Sequence, residues 1–430
     1  MTAKKLTRFA CIFSAGLLAA TAQAAEWKNL IEGTDLDDWK QLGGEARYEI
    51  KGDMIVGYTV PNSPNSFLTT KKNYSDFILE YETFVDPGMN SGMQIRSNVG
   101  SKGIVEGYQI EVDPTPRRFS GGFYDEKRRR WMYPLTLNEK GRDAFRNGEW
   151  NHFRIEAIGN SFQVWVNGIQ TVAIVDDMTS EGFFGMQVHS IKDPSWAGRK
   201  VRWRGLKIMT DDLEANRTPR DPEVTEINFL ANELTPYEVR QGWRLLWDGK
   251  TSEGWRGAKL DHFPKSGWTR RDGVLTVEAT DGGESTGPGD IVTEDSFSNF
   301  ELMFEFKITE GANSGIKYFV DPELNKGPGS AIGCEFQVLD DKVHPDAKMG
   351  VDGNRTLGSL YDLITAENLQ TEGRAKQFKG VGQWNQGRLI SNNGHVEHWL
   401  NGEKIVEFDR YSQMFRALVA YSKYKNWPNF

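Results

Sequence analysis

Cysteine is nearly absent from these 430 residues: there are two, Cys11 and Cys334. Cys11 lies in a leader-like N-terminus. Once that segment is removed a single thiol remains, which excludes an internal disulfide framework, so stability must come from the core. Histidine is also scarce, with six in the whole chain. There is no His-Glu-x-x-His, no Walker A loop, no dinucleotide glycine fingerprint and no Gly-x-Ser-x-Gly elbow. No apolar run is long enough to span a bilayer. An excess of positive charge is missing as well. The formal net charge is −8 and the pI 5.5, which argues against a nucleic-acid partner. Helical periodicity is scarce throughout.

The composition that is present is that of a water-soluble globular chain, with 26% charged residues and a mean hydropathy of −0.57. Aromatics at 12% and 45 glycines favour an all-β protein rich in turns. The length allows two or three domains of roughly 150 residues. At the N-terminus, Lys4, Lys5 and Arg8 precede the apolar stretch 9–20, and Ala22-Gln23-Ala24 is a small-x-small cleavage site. Residues 1–24 are therefore expected to be a signal peptide, leaving an exported protein, periplasmic or secreted, with no membrane segment after cleavage.

An internal duplication dominates the rest. Trp27, Leu30, Gly33 and Trp39 recur as Trp243, Leu246, Gly249 and Trp255. Gly88, Asn90, Ser91 and Gly92 recur as Gly311, Asn313, Ser314 and Gly315. Trp150, Asn151, Arg154, Trp165, Asn167 and Gly168 recur as Trp384, Asn385, Arg388, Trp399, Asn401 and Gly402. Order is kept and the spacing drifts slowly, as loop insertions would make it. Two tandem homologous domains follow, 26–209 and 234–430, with a polar, proline-bearing linker at 210–233. A Thr235-Pro236-Tyr237-Glu238 capping box starts one short helix.

Strand signals fill both repeats. Segments 77–84, 162–166, 300–307 and 396–400 alternate or are β-rich, and two of them end in Asn-Gly, the signature of a type I′ hairpin turn. The expected fold is all-β: two tandem jelly-roll sandwiches of the two-sheet kind. The first repeat runs on through strand-like segments 183–189 and 201–208. The second has no counterpart to either after Gly402, so it is expected to be truncated. Cys334 falls in a strand-like run with no neighbouring base and reads as a small buried hydrophobe.

Candidate chemistry concentrates on a few segments. The Glu-x-Asp-x-x-Glu pattern of a two-carboxylate retaining glycosidase begins at Glu111-Val112-Asp113 and is broken by Pro114. In Tyr108-Gln109-Ile110-Glu111-Val112-Asp113, alternation puts Gln109, Glu111 and Asp113 on one face. Glu335 and Gln337 match them in the second repeat. Such a face is either half-solvated or the floor of a concave sugar-binding sheet. Asn90 and Asn313 sit in the matched Gly-x-Asn-Ser-Gly loops, followed by Arg96 and Lys317. Gln187 and His189 share a strand face. Tyr124-Asp125 and Tyr361-Asp362 are matched acidic turns. The loop holding Asp341, His344 and Asp346 could bind a divalent metal or be a solvated acidic loop. His398 lies among apolar neighbours, as a core or a catalytic histidine. No cofactor is required by the sequence.

Taken together, these motifs resemble the 3-keto-disaccharide hydrolase domain, a family long catalogued as a domain of unknown function. The resemblance rests on Trp-x-x-Leu-x-x-Gly, Asn-Ser-Gly with its following Arg or Lys, the Glu/Gln strand, Trp-Asn-x-x-Arg, Asn-Gly, the late Gln-x-His and Val-Arg-Trp-Arg. It implies a concanavalin-like jelly roll in an exported bacterial enzyme that cleaves 3-keto-glycosides. A C3 ketone acidifies the C2 proton. A base removes it, the enolate expels the C1 substituent, and water adds back. This assigns His189 or Glu111 as base, Arg96 as stabiliser of the enolate or carbonyl oxygen, and Asp113 or Tyr124 as proton donor. Asn90, Gln109 and Gln187 would bind substrate. The second set is Asn313, Lys317, Glu335, Gln337, Tyr361, Asp362 and His398. A small carbohydrate is the expected partner, and a separate sugar 3-oxidoreductase would have to supply the ketone. The competing reading, from another class, is a tandem carbohydrate-binding module that breaks no bond.

Overall fold

The computed structural model describes residues 26–31, 33, 35–279, 289–324, 330–427 and 430. The segment 1–24 lies outside them. The first repeat folds as two facing sheets. The front sheet has seven strands: β1 (Trp39–Gly43), β2 (Ser66–Thr70), β3 (Ser91–Val99), β4 (Val105–Val112), β5 (Phe123–Glu126), β6 (Arg130–Tyr133) and β7 (Phe183–Val188), in the spatial order β6-β5-β4-β3-β7-β2-β1. The back sheet has nine, with Phe77–Val85 at its centre between Asn151–Ile158 and Lys200–Met209. Alternation decides what faces inward. Tyr108, Ile110 and Val112 of β4 and Met93 and Ile95 of β3 are buried in the core with Phe77, Leu79, Phe153 and Trp203 of the back sheet. Each such side chain contributes about 1.5–3 kcal/mol by leaving water.

The second unit is smaller. A four-stranded sheet has the order β8 (Phe300–Phe306), β11 (Asn385–Asn392), β12 (His395–Leu400), β13 (Glu403–Asp409). It faces a pair formed by β9 (Asn313–Asp321) and β10 (Ile332–Leu339). Cys334, Phe336, Leu389, Val396 and Leu400 form its core, and burial pushes the Cys334 thiol up to about 12, as expected of an inert packed sulfur. Among the described residues nothing pairs with the free edge of β9 as β7 pairs with β3. The chain instead continues from β13 into the helix Gln413–Tyr421, which packs Phe415 into that core.

The repeated motifs turn out to be scaffolding. Asn167 and Gly168 adopt φ of 49° and 81°, as do Asn401 and Gly402, closing the two-residue hairpins that the Asn-Gly pairs predict. Asn167 Nδ2 donates to Asn151 Oδ1 at 2.8 Å, and Asn401 Nδ2 to Asn385 Oδ1 at 2.8 Å. The Trp-Asn and Asn-Gly motifs are thus two halves of one brace. Arg154 and Arg388 pair with Glu80 and Glu301 across the sheets. The 210–233 segment is not loose. Ile227–Asn228 adds a parallel strand to the back sheet, and Val224 and Ile227 are buried in the first core. The Thr235 capping box forms as predicted.

Candidate active site

The outward face of the front sheet carries a polar strip. Cross-strand register aligns Gln94 of β3 with Gln109 of β4, Gln109 with Tyr124 of β5, and Tyr124 with Trp131 of β6. One step along, Gln187 of β7 pairs with Gly92 of β3, and Gly92 with Glu111 of β4. Apolar Leu42, Phe67, Val105 and Phe183 form a cluster at one end, and Tyr124 and Trp131 stand edge to face, 5.2 Å apart, at the other.

Along this strip runs a directed chain of hydrogen bonds. Ser97 Oγ donates to Gln94 Oε1 (2.6 Å), Gln94 Nε2 to Gln109 Oε1 (2.7 Å), and Gln109 Nε2 to Glu111 Oε2 (2.8 Å). Asn90 Nδ2 donates to the other carboxylate oxygen at 2.5 Å. Gly92 makes room for this: a Cβ there would stand 2.6 Å from the Gln109 side chain. Glu111 is 5% exposed. Its carboxyl is pushed up to about 7, with burial the leading cause and the Asp113 charge adding to it, while the two amide donors and Arg117 pull the other way. A carboxylate poised near neutrality is suited to taking up and returning a proton. The Oδ1 of Asn90 and the Oε1 of Gln187 are buried acceptors without a hydrogen-bond partner.

Five of the expected site residues meet here, Asn90, Gln109, Glu111, Tyr124 and Gln187, and His189 follows the end of β7. Tyr124 is raised to about 12 by burial and the nearby Glu126 and Glu111 charges, so its hydroxyl stays protonated. Val188 pairs with Ser91, so continuing the register sets His189 alongside Asn90. Its Nδ1 lies 2.9 Å from the Ser190 carbonyl; in the neutral ring that carbonyl takes the Nδ1 proton, leaving Nε2 as the acceptor.

Two assignments are corrected. Arg96 does not face the site. It has φ 42° at a bulge where the β3–β4 register shifts. Its guanidinium turns inward to the carbonyls of Ser75, Gly159 and Ala157 and the Asp76 carboxylate. It is 1% exposed and staples the fold. Asp113 is buried, and Arg117 grips its carboxylate at 2.6–2.7 Å, so it is not placed as a proton donor.

The second unit has the same frame with different chemistry. Gly315 pairs with Gln337 and Lys317 with Glu335, reproducing the Gly92–Glu111 and Gln94–Gln109 pairs. Gln337 therefore stands where Glu111 stands. Lys317 corresponds to Gln94, while the counterpart of Arg96 is Phe319, also at positive φ (53°). Lys317 pairs with Asp290 at 2.8 Å. Gln337 Nε2 donates to Asn313 Oδ1 at 3.3 Å. Tyr361 donates to Asp346 at 2.7 Å, and Asp362 is held by Arg355. His398 is a core residue. It bridges Tyr318 Oη and the Gly358 carbonyl, and burial lowers it to about 4.

The Asp341, His344 and Asp346 loop does not gather as a metal site. Asp341 pairs with Lys376, Asp346 with Arg355, and His344 Nδ1 accepts from the Asp346 backbone N–H. Among the described residues His395, Glu397 and Glu407 do lie within ligand spacing. The Lys404 ammonium already bridges those two carboxylates at 2.8 and 2.9 Å.

Ser97 and Gln94 escaped the sequence reading, and Gly92 entered it only as part of the repeated Gly-x-Asn-Ser-Gly loop. Alternation along β3 places Gln94 on the Gln109 face, but only the cross-strand register reveals that the two amides touch.

A family model described as the 3-keto-alpha-glucoside-1,2-lyase-like domain matches residues 26–209 and again 242–426. The chain belongs to this family, in two tandem copies. A 3-keto-disaccharide hydrolase from Bacteroides thetaiotaomicron is 37% identical over 199 residues, a match spanning 44% of this chain and 66% of that protein. Two solved structures are also similar. A putative glycosyl hydrolase from Parabacteroides distasonis has 30% identity and a TM-score of 0.38, covering 46% of this chain and 86% of its own. A carbohydrate binding module from Bacillus subtilis has 18% identity and a TM-score of 0.30, covering 40% and 96%. In this lyase-like family member the polar strip of the first copy is the candidate centre.

Proposed function

We propose that this chain is an exported enzyme that cleaves 3-keto-glycosides by elimination and hydration at the first copy's front sheet, with Glu111 as the base. The observation that carries the reading is the buried Glu111 carboxyl, near neutrality and held by Asn90 and Gln109. In this mechanism Glu111 takes the C2 proton of the 3-keto sugar. The enolate reforms the C3 ketone as the C1–O bond breaks, giving a C1–C2 double bond, and Tyr124 protonates the departing oxygen. Glu111 exchanges the abstracted proton with solvent as the leaving group departs; water then adds at C1, losing its proton toward His189 Nε2, C2 regains a proton from Glu111, and the His189 proton returns through solvent to the Tyr124 phenolate. In this reading the unpartnered oxygens of Asn90 and Gln187 accept sugar hydroxyls when substrate enters. On this reading the enzyme works in the periplasm or outside the cell, which the leader-like segment 1–24 supports, downstream of a separate oxidoreductase that makes the ketone.

The test is turnover of a 3-keto-disaccharide and its unoxidised parent, with and without chelator. The reading expects sugar release from the keto form alone, lost in Glu111→Gln and in His189→Ala with sugar binding spared. No release from either sugar, together with sugar binding, would replace the enzyme with a tandem binding module.

A further inference from the structure

The two copies meet at the wall of the candidate site. The second unit's Asn401-Gly402 turn sits on the segment Leu135–Leu137 of the first: Thr136 Oγ1 donates to the Gly402 carbonyl at 2.7 Å, and Gln370 Nε2 donates to the Thr136 carbonyl at 3.0 Å. The residue after that turn is Ile169 in the first unit but Glu403 in the second, and Glu403 is fully buried. One Glu403 oxygen is held by Asn368, and the other pairs with Arg374 at 3.1 Å. The Arg374 guanidinium lies 5.7 Å from the Phe119 ring centre, and Arg117 lies 4.9 Å from the same ring. Arg117 also lies 5.1 Å from Trp131, grips Asp113, and receives Arg142 Nη2 on its carbonyl. A buried carboxylate and arginine of one unit thus end on the aromatic ring that seats the rim arginine of the other.

We propose that the second unit is a positioning unit for the first: Arg374, anchored by Glu403, holds Arg117 on Phe119 and so keeps the Arg117–Asp113 pair fixed beside Glu111. This rests on Glu111 being the base. It fits the second copy's own floor, where Gln337 replaces that carboxylate and cannot take up a proton. The charged groups acting on Glu111 are Asp113 and Arg117 after β4, with the Tyr124 hydroxyl on the neighbouring β5; β7 brings the neutral Gln187, and β3 brings Gly92 and Gln94, with Asn90 just before it. Those facing Arg117 are Asp113, Arg142, Arg374 and Glu403. Without Arg374, Arg117 is drawn toward the unpaired Glu403 and away from Asp113. Glu111 then feels more of the Asp113 charge and less of the Arg117 charge, so its proton is held to higher pH.

The test is the pH dependence of kcat/KM on a 3-keto-disaccharide for the full chain, beside Arg374→Ala, Arg374→Lys, Glu403→Gln and Glu111→Gln. The expected result is an acid limb moved up by about half a unit or more in Arg374→Ala, return of at least half of it in Arg374→Lys, and no upward shift in Glu403→Gln, which leaves no carboxylate to draw Arg117 away. Thermal unfolding of each variant separates this from lost fold, and if Arg374→Ala fails to fold, Arg374→Gln takes its place. An Arg374→Ala or Arg374→Gln limb that overlays the wild type, in an enzyme that Glu111→Gln inactivates, overturns this inference alone. A fully active Glu111→Gln overturns the base assignment and this inference with it.

Discussion

Glu111 is held between opposing forces, and both are readable from its surroundings. Burial disfavours the charged carboxylate, while two amide donors and Arg117 favour it, leaving the group near 7. The acid limb of kcat/KM should therefore fall near pH 7. The same balance predicts a stability effect. A carboxyl raised from 4.5 to about 7 stabilises the fold below its unfolded value, and that contribution is lost as pH rises through 7. Glu111→Gln, which cannot ionise, should match the wild type near pH 4 and exceed it by about 3 kcal/mol at pH 8, read as a Tm gap that widens with pH. The Asn90 amide can turn its unpartnered oxygen to the new NH2. A Tm gap independent of pH would contradict the buried, shifted carboxyl. Arg96 belongs to the opposite kind of residue. Arg96→Met should leave three carbonyls and Asp76 without their donor and cost about 3 kcal/mol or more, measured by denaturant unfolding. A stability within 1 kcal/mol of wild type would contradict the staple.

At the scale of the strand, the hydrogen-bond chain works because β3 and β4 are locked in one register. Gln109 can lie across β3 because Gly92 has no side chain. Gly92→Ala should push Gln109 off Glu111 and lower kcat/KM about ten-fold with the acid limb moved up, and Gln94→Leu should do the same more weakly by removing the donor that orients Gln109. Unchanged limbs in both would remove the relay from the mechanism. Alternation along Tyr108–Val112 made the two faces of β4 legible from sequence, and the Asn-Gly turns made the hairpins legible. The partner across the sheet was not legible, because register depends on loops and bulges rather than on period. Arg96 shows the cost. Strict alternation after Ile95 points it toward the site, but the bulge reverses it into the core, as it does Phe319 in the second copy.

At the scale of the molecule, duplication kept the scaffold and changed the chemistry. The Asn151–Asn167 and Asn385–Asn401 braces are alike in both copies, and these motifs made the two units legible. The Glu-to-Gln exchange at 111 and 337 was also visible as letters, but its meaning needed the matched pairing with Gly92 and Gly315. The interface through Glu403 and Arg374 left no sequence signal, since both are ordinary charged residues until they are buried against the other copy. This architecture expects one active centre: Glu111→Gln should abolish turnover although the second copy is intact. Elimination requires that the C2 proton leave and be replaced. Its most direct test is cleavage of a 3-keto-disaccharide in D2O, with the sugar product followed at C2 over times too short for spontaneous exchange of authentic product. Elimination and hydration predict deuterium at C2 of the released keto sugar, absent without enzyme. Complete retention of the C2 hydrogen during turnover would contradict it and point to direct displacement at C1.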